Sequence, residues 1–445
     1  MQNKFKLKIN DLGPIKEANM GINQINIIGG PNASGKSFSS KLLFCFLTSL
    51  SEQGKRIEND GIYGSYDSFI KRWINNTSSI DSIQYNHAEL NDKVSRLMQG
   101  WDDNNIDYDY LNDFLLKFKS ILDEYDLLSD ENCLNDFEII RNTIDPDKQK
   151  FGYVPRVLNY LLLVEFGQSS LKQFQNAKIE FKGISDQLFN FSIDFNEYSA
   201  DLTFNTLDDS QLNLNKVIYM DSISLLGFKI KLNKGIEVNG NLAPFHFYSL
   251  LKGMVQKPSI NSVALNKFYA NHGKNLESEF IEMMDGFFEF KEDEQEFIFK
   301  SNDLDIELNN VASGYKQIGI IQLLLSNKSI SDGTWLIIDE PEVNLHPAMQ
   351  IKLVELLVKM AQELNIAVYV NSHSPYIIEA FEVYSKRENM DEKTSFFLCE
   401  PDEKTKFNIH EVSRKNLRKI YDNLANPYNI INSVRFENDW KEEFD

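Results

Sequence analysis

The chain reads as an α/β protein, with a parallel core sheet flanked by helices, additional antiparallel strands and an inserted helical lobe. Three observations predict this. A short apolar run at 25–28 leads into a glycine loop, and Leu42, Leu43, Phe44, Phe46 and Leu47 then form the broad apolar face of a helix. Near the other end, buried-strand runs at 335–338 and 366–370 alternate with helix patterns at 314–325 and 347–364, the order that places parallel strands under helices on both faces. Between these halves, residues from about 59 to 175 carry helical patches with little strand character, for example 110–118.

Taken in order, Phe5, Leu7 and Ile9 alternate with Lys6, Lys8 and Asn10, the period of a half-buried strand, and Gly13-Pro14 marks a turn. The helical stretch that follows the first helix is acidic, with 14 acidic against 5 basic residues over 101–150. That balance suits either a solvated face or a docking site for a basic partner. Strand patterns return at 178–182, 189–195, 200–204 and 216–220, and helices are expected at 244–255 and 276–287. Residues 288–299, broken by Glu292-Asp293-Glu294, suggest a hairpin, with a further strand at 304–308. Pro347 suits a first helical turn, where its missing N–H is not needed. The expected organisation is a split core over 1–54 and 176–400, a lobe over 55–175 and a C-terminal hairpin or helix extension over 401–445.

Composition narrows the class. Of 445 residues, 42% are hydrophobic and 25% charged, ordinary values for a folded chain, and the formal charge of −20 argues against a protein that coats nucleic acid. Local contact with nucleic acid remains open, and the basic run Arg414, Lys415, Arg418 and Lys419 is either a solvated face or such a contact. Cys45, Cys133 and Cys399 form no paired motif and are expected as buried thiols of a cytoplasmic protein. No apolar run approaches a membrane span.

Two motifs carry chemistry. Gly30-Pro31-Asn32-Ala33-Ser34-Gly35-Lys36-Ser37 fits G-x-x-x-x-G-K-[ST], in which backbone N–H groups cradle phosphates, the lysine charge meets the β/γ-phosphates and the serine hydroxyl faces Mg²⁺. Gly30, Asn32, Ser34, Gly35, Lys36 and Ser37 are therefore expected to hold ATP. The strand at 335–338 ends in Asp339-Glu340, where Asp339 is suited to Mg²⁺ and Glu340 to polarising the attacking water. A third strand end carries Asn371-Ser372-His373-Ser374-Pro375, at the edge where ligands bind in open α/β sheets.

Combined with Ala312-Ser313-Gly314-Tyr315-Lys316-Gln317 and Asp339-Glu340-Pro341-Glu342-Val343-Asn344-Leu345-His346-Pro347, these motifs resemble the non-transporter ABC ATPases of the OLD and RecF kind, relatives of SMC-type heads. The resemblance implies that Ser313, Gly314, Lys316 and Gln317 bind the γ-phosphate held by the partner subunit's P-loop, and that His373 contacts the γ-phosphate. His346 takes the place of a D-loop aspartate in position only. A Q-loop glutamine is not selected among Gln168, Gln173, Gln175 and Gln187. Transporter subunits are usually shorter and carry Leu-Ser-Gly-Gly-Gln.

OLD-family nucleases add a Toprim domain, but the 72 residues after His373 hold no such pattern, so no nuclease activity is expected in this chain. The chain is similar to ATPase subunits of the anti-phage systems Septu and PARIS. That similarity implies a head-to-tail dimer or higher oligomer controlling a separate effector, such as an HNH or Toprim nuclease or a toxin, with nucleic acid or a phage protein as a further partner. The same motifs would serve an ATPase of DNA repair, recombination or chromosome maintenance.

Overall fold

The computed structural model describes residues 5–51, 53–54, 108–125, 154–167, 177–183, 189–195, 200–207, 213–221, 237–238, 241–242, 245–255, 269–294, 296–302, 304–402, 406–418 and 420–421, with isolated positions between 89 and 176. The first part comprises β1 (Phe5–Leu12), β2 (Ile15–Ile22), β3 (Ile25–Gly29), α1 (Lys36–Leu50), α2 (Tyr108–Glu124) and α3 (Val154–Phe166). Strands β4 (Lys178–Gly183), β5 (Phe189–Phe195), β6 (Ala200–Leu207), β7 (Lys216–Met220), β8 (Glu237–Val238) and β9 (Asn241–Leu242) follow. Next come α4 (Phe245–Val255), α5 (Lys274–Met284), β10 (Phe287–Lys291), β11 (Glu296–Ser301), β12 (Leu304–Glu307) and α6 (Ser313–Ser326). The last part is β13 (Thr334–Asp339), α7 (Pro347–Glu363), β14 (Ala367–Ser372), α8 (Pro375–Arg387), β15 (Thr394–Pro401) and β16 (Phe407–Glu411).

An 11-stranded sheet organises these elements in the order β6, β5, β4, β1, β2, β16, β15, β3, β14, β13, β7. Strands β15, β3, β14, β13 and β7 run parallel, whereas β1 pairs antiparallel with both β2 and β4. In the parallel part every strand is buried on both faces, and alternate side chains enter different cores. Trp335, Ile337, Ala367, Tyr369, Val217 and Tyr219 join the core around α1 and α3. Leu336, Ile338, Val368, Val370, Ile218 and Met220 join the core under α4 to α8.

The sheet curls around α1. Phe5 of β1 lies 5.9 Å from Trp335 of β13 between ring centroids and 6.1 Å from Phe46 of α1, although β1 and β13 are far apart in sheet order. Such coiling is how a large twisted sheet covers its own apolar face. Each aromatic pair adds roughly 0.5–1.5 kcal/mol beyond its buried area.

The parallel sheet under helices and the antiparallel strands agree with the predicted class, and residues 108–124 and 154–166 are helical. Two details differ from the sequence reading. The helix expected over 276–287 stops at Met284, because Asp285 turns left-handed at φ 50°, and Phe287 begins β10. Its apolar Phe287-Phe288 pair suits either period, so only the turn decides between them. The sheet also continues past residue 400, since β16 lies between β2 and β15 and pairs with both. Cys45 and Cys399 are buried free thiols, and Cys133 lies outside the described residues. Among the described residues no helix is long and apolar enough to cross a membrane.

The position of β16 makes a prediction. A chain ending at Pro401 leaves the facing edges of β2 and β15 without their partner and uncovers Cys399 above the glycine loop. Its urea unfolding is expected to lose cooperativity or to shift to a clearly lower midpoint. A wild-type midpoint would show that β16 is dispensable.

Candidate functional site

The site is built at the C-terminal ends of β3, β14 and β13, which are neighbours. Register pairs Gly29 with Ser372 and Asn371 with Asp339, so the glycine loop, His373 and the two carboxylates emerge side by side. Such an edge is where open α/β sheets bind ligands.

Between β3 and α1, two glycines are required by space. A Cβ on Gly30 would lie 2.6 Å from Cys399 Cβ and 2.9 Å from its carbonyl oxygen. Gly35 has φ 94°, and a Cβ there would meet Ile15 at 2.6 Å. Lys36 is only 4% exposed, and its Nζ donates to Gly30 O at 3.0 Å and Pro31 O at 2.6 Å. Burial lowers the Lys36 pKa, while the nearby charges of Glu340, Glu342 and Asp339 work in the opposite direction. Ser34 is buried, whereas Asn32 and Ser37 are exposed.

Asp339 is buried and surrounded by donors. Ser40 Oγ donates to Oδ1 at 2.9 Å, Tyr219 Oη donates to Oδ2 at 2.6 Å, and Asn371 Nδ2 donates to Oδ1. Burial holds the Asp339 carboxyl above its ordinary pKa, against the opposing pull of Tyr219, Ser37, Ser40 and Asn371.

Glu340 follows with φ 52°, a left-handed conformation that costs a non-glycine residue about 1–3 kcal/mol and is found where the surroundings enforce it. Its N–H donates to Asn371 O at 2.9 Å, so β14 fixes the turn. Two residues on, Glu342 binds the third strand end. Its Oε1 accepts from Ser372 Oγ at 2.9 Å, from His373 N at 2.6 Å and from Ser374 N at 3.1 Å. His373 Nδ1 lies 3.0 Å from the same oxygen, as a charge contact without hydrogen-bond alignment, and 3.9 Å from Glu340 Oε1.

The remaining predicted residues lie beside this edge. Gln317 Nε2 donates to Glu340 O at 3.4 Å, and a Cβ on Gly314 would strike Asn344 O at 2.4 Å, so α6 packs against the loop after Glu340. Ser313 stands exposed at the first position of α6, and Lys316 is half-buried. His346 caps α7, accepting from Ala348 N at 3.3 Å, with Pro347 in the first turn as expected. All four Q-loop glutamines lie outside the described residues.

The donor set fits a polyphosphate and a hard divalent cation. Ser37 and Asp339 offer oxygen ligands of the kind Mg²⁺ takes, and the buried Asn371 Oδ1 and Glu342 Oε2 have no hydrogen-bond partner in the protein. Among the described residues no cluster of three or more His, Cys, Asp or Glu could hold a metal ion by itself.

Sequence reasoning did not assign Ser40, Tyr219, Glu342 or Asn371. Glu342 and Asn371 stand within the motifs quoted for their neighbours, and their spacing from Glu340 and His373 was the available signal. Tyr219 and Ser40 reach Asp339 only through the fold.

A family model described as "AAA domain, putative AbiEii toxin, Type IV TA system" matches residues 41–379, beginning within α1 just after the glycine loop. That is well over half of the chain, and the chain belongs to this family. The chain is also similar to the SMC head domain from Thermotoga maritima, with 11% identity, coverage of 92% of this chain and 99% of that one, and a TM-score of 0.37. An SmcHead bound to the C-winged helix domain of ScpA gives 9%, 93%, 98% and 0.43. An Smc head with an extended coiled coil bound to the C-terminal domain of ScpA, derived from Pyrococcus furiosus, gives 9%, 97%, 98% and 0.33. No curated protein matches.

The Glu342–His373 contact has a pH signature. Burial alone would raise the Glu342 carboxyl, but His373 and its N–H bring it below the ordinary value; Glu342 in turn raises His373 above its usual value, with burial opposing. The contact therefore stabilises the fold while Glu342 is ionised and His373 is protonated. It is lost as pH falls through the lowered Glu342 value and as pH rises through the raised His373 value. In Glu342→Gln, the His373 midpoint followed by NMR is expected to fall toward about 6.5. An unchanged midpoint would remove Glu342 as the cause.

Proposed function

From membership of that ATPase-domain family and from the geometry of its site, we propose that the chain binds and hydrolyses ATP as a switch subunit. The observation supporting this is the meeting of Lys36, Asp339, Glu340 and His373 on three adjacent parallel strand ends. On this reading the N–H groups of residues 30–37 wrap the phosphates, and Lys36 leaves the carbonyls of Gly30 and Pro31 to meet the β/γ-phosphates. Ser37 and Asp339 would hold Mg²⁺, which neutralises phosphate charge. Glu340 accepts the proton of the attacking water, and Glu342 holds His373 toward the γ-phosphate.

The exposed Ser313 and the α6 N-terminus form the other half of the proposal. They lie beside Glu340 yet are turned to solvent, which supports their use against the nucleotide of a partner subunit in a head-to-tail dimer. The family's description as a putative toxin of a type IV toxin–antitoxin system fits a two-component arrangement in which this family is the toxin. The motif resemblance to anti-phage ATPase subunits instead supports a chain that controls a separate effector, a nuclease or toxin, in anti-phage defence.

Lys36→Ala is expected to lose ATP affinity in calorimetry, and retained affinity would end the P-loop assignment. Glu340→Gln should bind ATP while turnover falls by about 10²–10⁴-fold, the range of general acid–base contributions; ordinary phosphate release would remove Glu340 from catalysis.

The dimer is tested by mixing. Lys36→Ala and Ser313→Arg chains, each inactive alone, should regain turnover together through one intact composite site. Absence of any regain, with both chains folded and associated, would overturn the trans role of Ser313. Co-purification of an untagged nuclease or toxin encoded beside this chain tests the effector, and association with DNA alone would favour the repair reading.

A further inference from the structure

Away from the phosphate edge the protein buries an imidazole between two carboxylates. His246, in the first turn of α4, is 1% exposed. Its backbone N–H donates to Glu165 Oε1 at 3.0 Å and its Nδ1 lies 2.5 Å from Glu165 Oε2, so one carboxylate of α3 grips both the main chain and the ring. On the other side, Nε2 lies 3.6 Å from Asp221 Oδ2. The Glu165 side chain is fully buried and that of Asp221 is 16% exposed. Charges in such a place are stable only when paired, and removal of one member is strongly destabilising. Burial would lower the His246 pKa, but the nearby Asp221 and Glu165 carboxylates overcome it and the net shift is upward; toward Asp221 this is a charge contact, since Nε2 makes no hydrogen bond.

The location gives the triad its meaning. Asp221 directly follows β7, and Met220 pairs with Ile338, the residue before Asp339. Tyr219, one residue earlier, packs edge-on against the His246 ring with centroids 4.9 Å apart and donates its hydroxyl to Asp339. The groups around His246 include Glu165 from α3, Tyr219 from β7, Asp221 directly after it, the Phe44 ring from α1 and the adjacent Phe247 ring.

We propose that His246 is a positioning residue of the nucleotide site. By bridging Glu165 of α3 to Asp221 after β7, it holds the strand end that carries Tyr219 against Asp339, and it ties α3 to turnover. This rests on the ATP-site reading above. The linkage from Glu165 to β7 does not, and it can be tested without nucleotide.

The experiment has two arms. In the first, amide hydrogen exchange is compared in nucleotide-free wild type, His246→Leu and Glu165→Gln. Both variants are expected to speed exchange in Val154–Phe166 and also in Lys216–Met220, whereas a change confined to α4 would overturn the bridge. In the second arm, the double variant Glu165→Leu/His246→Leu replaces both ends of the buried ring–carboxylate pair with apolar groups, which is milder than removing either alone, although the N–H at 246 loses its acceptor. It should fold with a Tm above that of either single variant, with kcat lowered by about tenfold and KM for ATP nearly unchanged, because the glycine loop is intact. His246→Gln, which still donates to Glu165, should recover part of the lost turnover. Wild-type kcat in the folded double variant would overturn the positioning role. If wild type itself neither binds nor hydrolyses ATP, the ATP-site reading fails, and the exchange arm still decides the bridge.

Discussion

The buried carboxylate of Asp339 is the constraint on which the rest of the structure depends. A carboxylate held away from water costs several kcal/mol unless donors surround it, and here the donors come from separate parts of the chain. Ser40 arrives on α1, Tyr219 on β7 and Asn371 on β14. Each requires its element to be in register, so one polar group couples the helix after the glycine loop to three neighbouring strands. The two apolar cores make the layers adhere. Asp339 specifies which strand end lies beside which.

Glu342 extends the same logic to the loops. A single oxygen gathers Ser372, His373 and Ser374, and Ser374 Oγ donates in turn to Gln350 Oε1 at 2.6 Å on α7. With both loops closed on each other, Glu340 can be held at positive φ between them, its N–H on Asn371. The strain is local and the support is distributed, which is how a reactive side chain is kept aimed.

Much of this was legible in the sequence, and the reason is the kind of information each part carries. Contiguous motifs such as 30–37 and 339–347 encode local backbone geometry, so spacing alone places them at strand ends. The buried strands announce themselves because both of their faces are apolar. By contrast, Tyr219 and Ser40 are ordinary members of an apolar strand and helix, and nothing local distinguishes them from core residues. His246 is similar, since its partner Glu165 lies 81 positions away. The helix end at Met284 was missed because Phe287 and Phe288 suit both periods, although Asp285-Gly286 is a turn-marking dipeptide that the sequence offered. Strand β16 was read as an extension because its partners β15 and β2 come from opposite ends of the chain.

The exposure pattern also bears on the proposed dimer. Lys36, Ser34 and Asp339 are at most 4% exposed, so the inner wall of the site is complete within one chain. The Glu340 and His373 side chains are 30% and 39% exposed, and Ser37, Asn32 and Ser313 face solvent. Phosphoryl transfer gains most where water is excluded around fixed charges, and half of this edge is open. A surface that closes it has to bring donors for phosphate and cover Glu340 without displacing it. The α6 N-terminus of a second copy offers this, because its Ser313 is turned outward while Gln317 is engaged with its own Glu340 loop. In the proposed dimer, closing one site by this route would move α6 together with the loop of the other, so occupancy at either nucleotide would be felt at both.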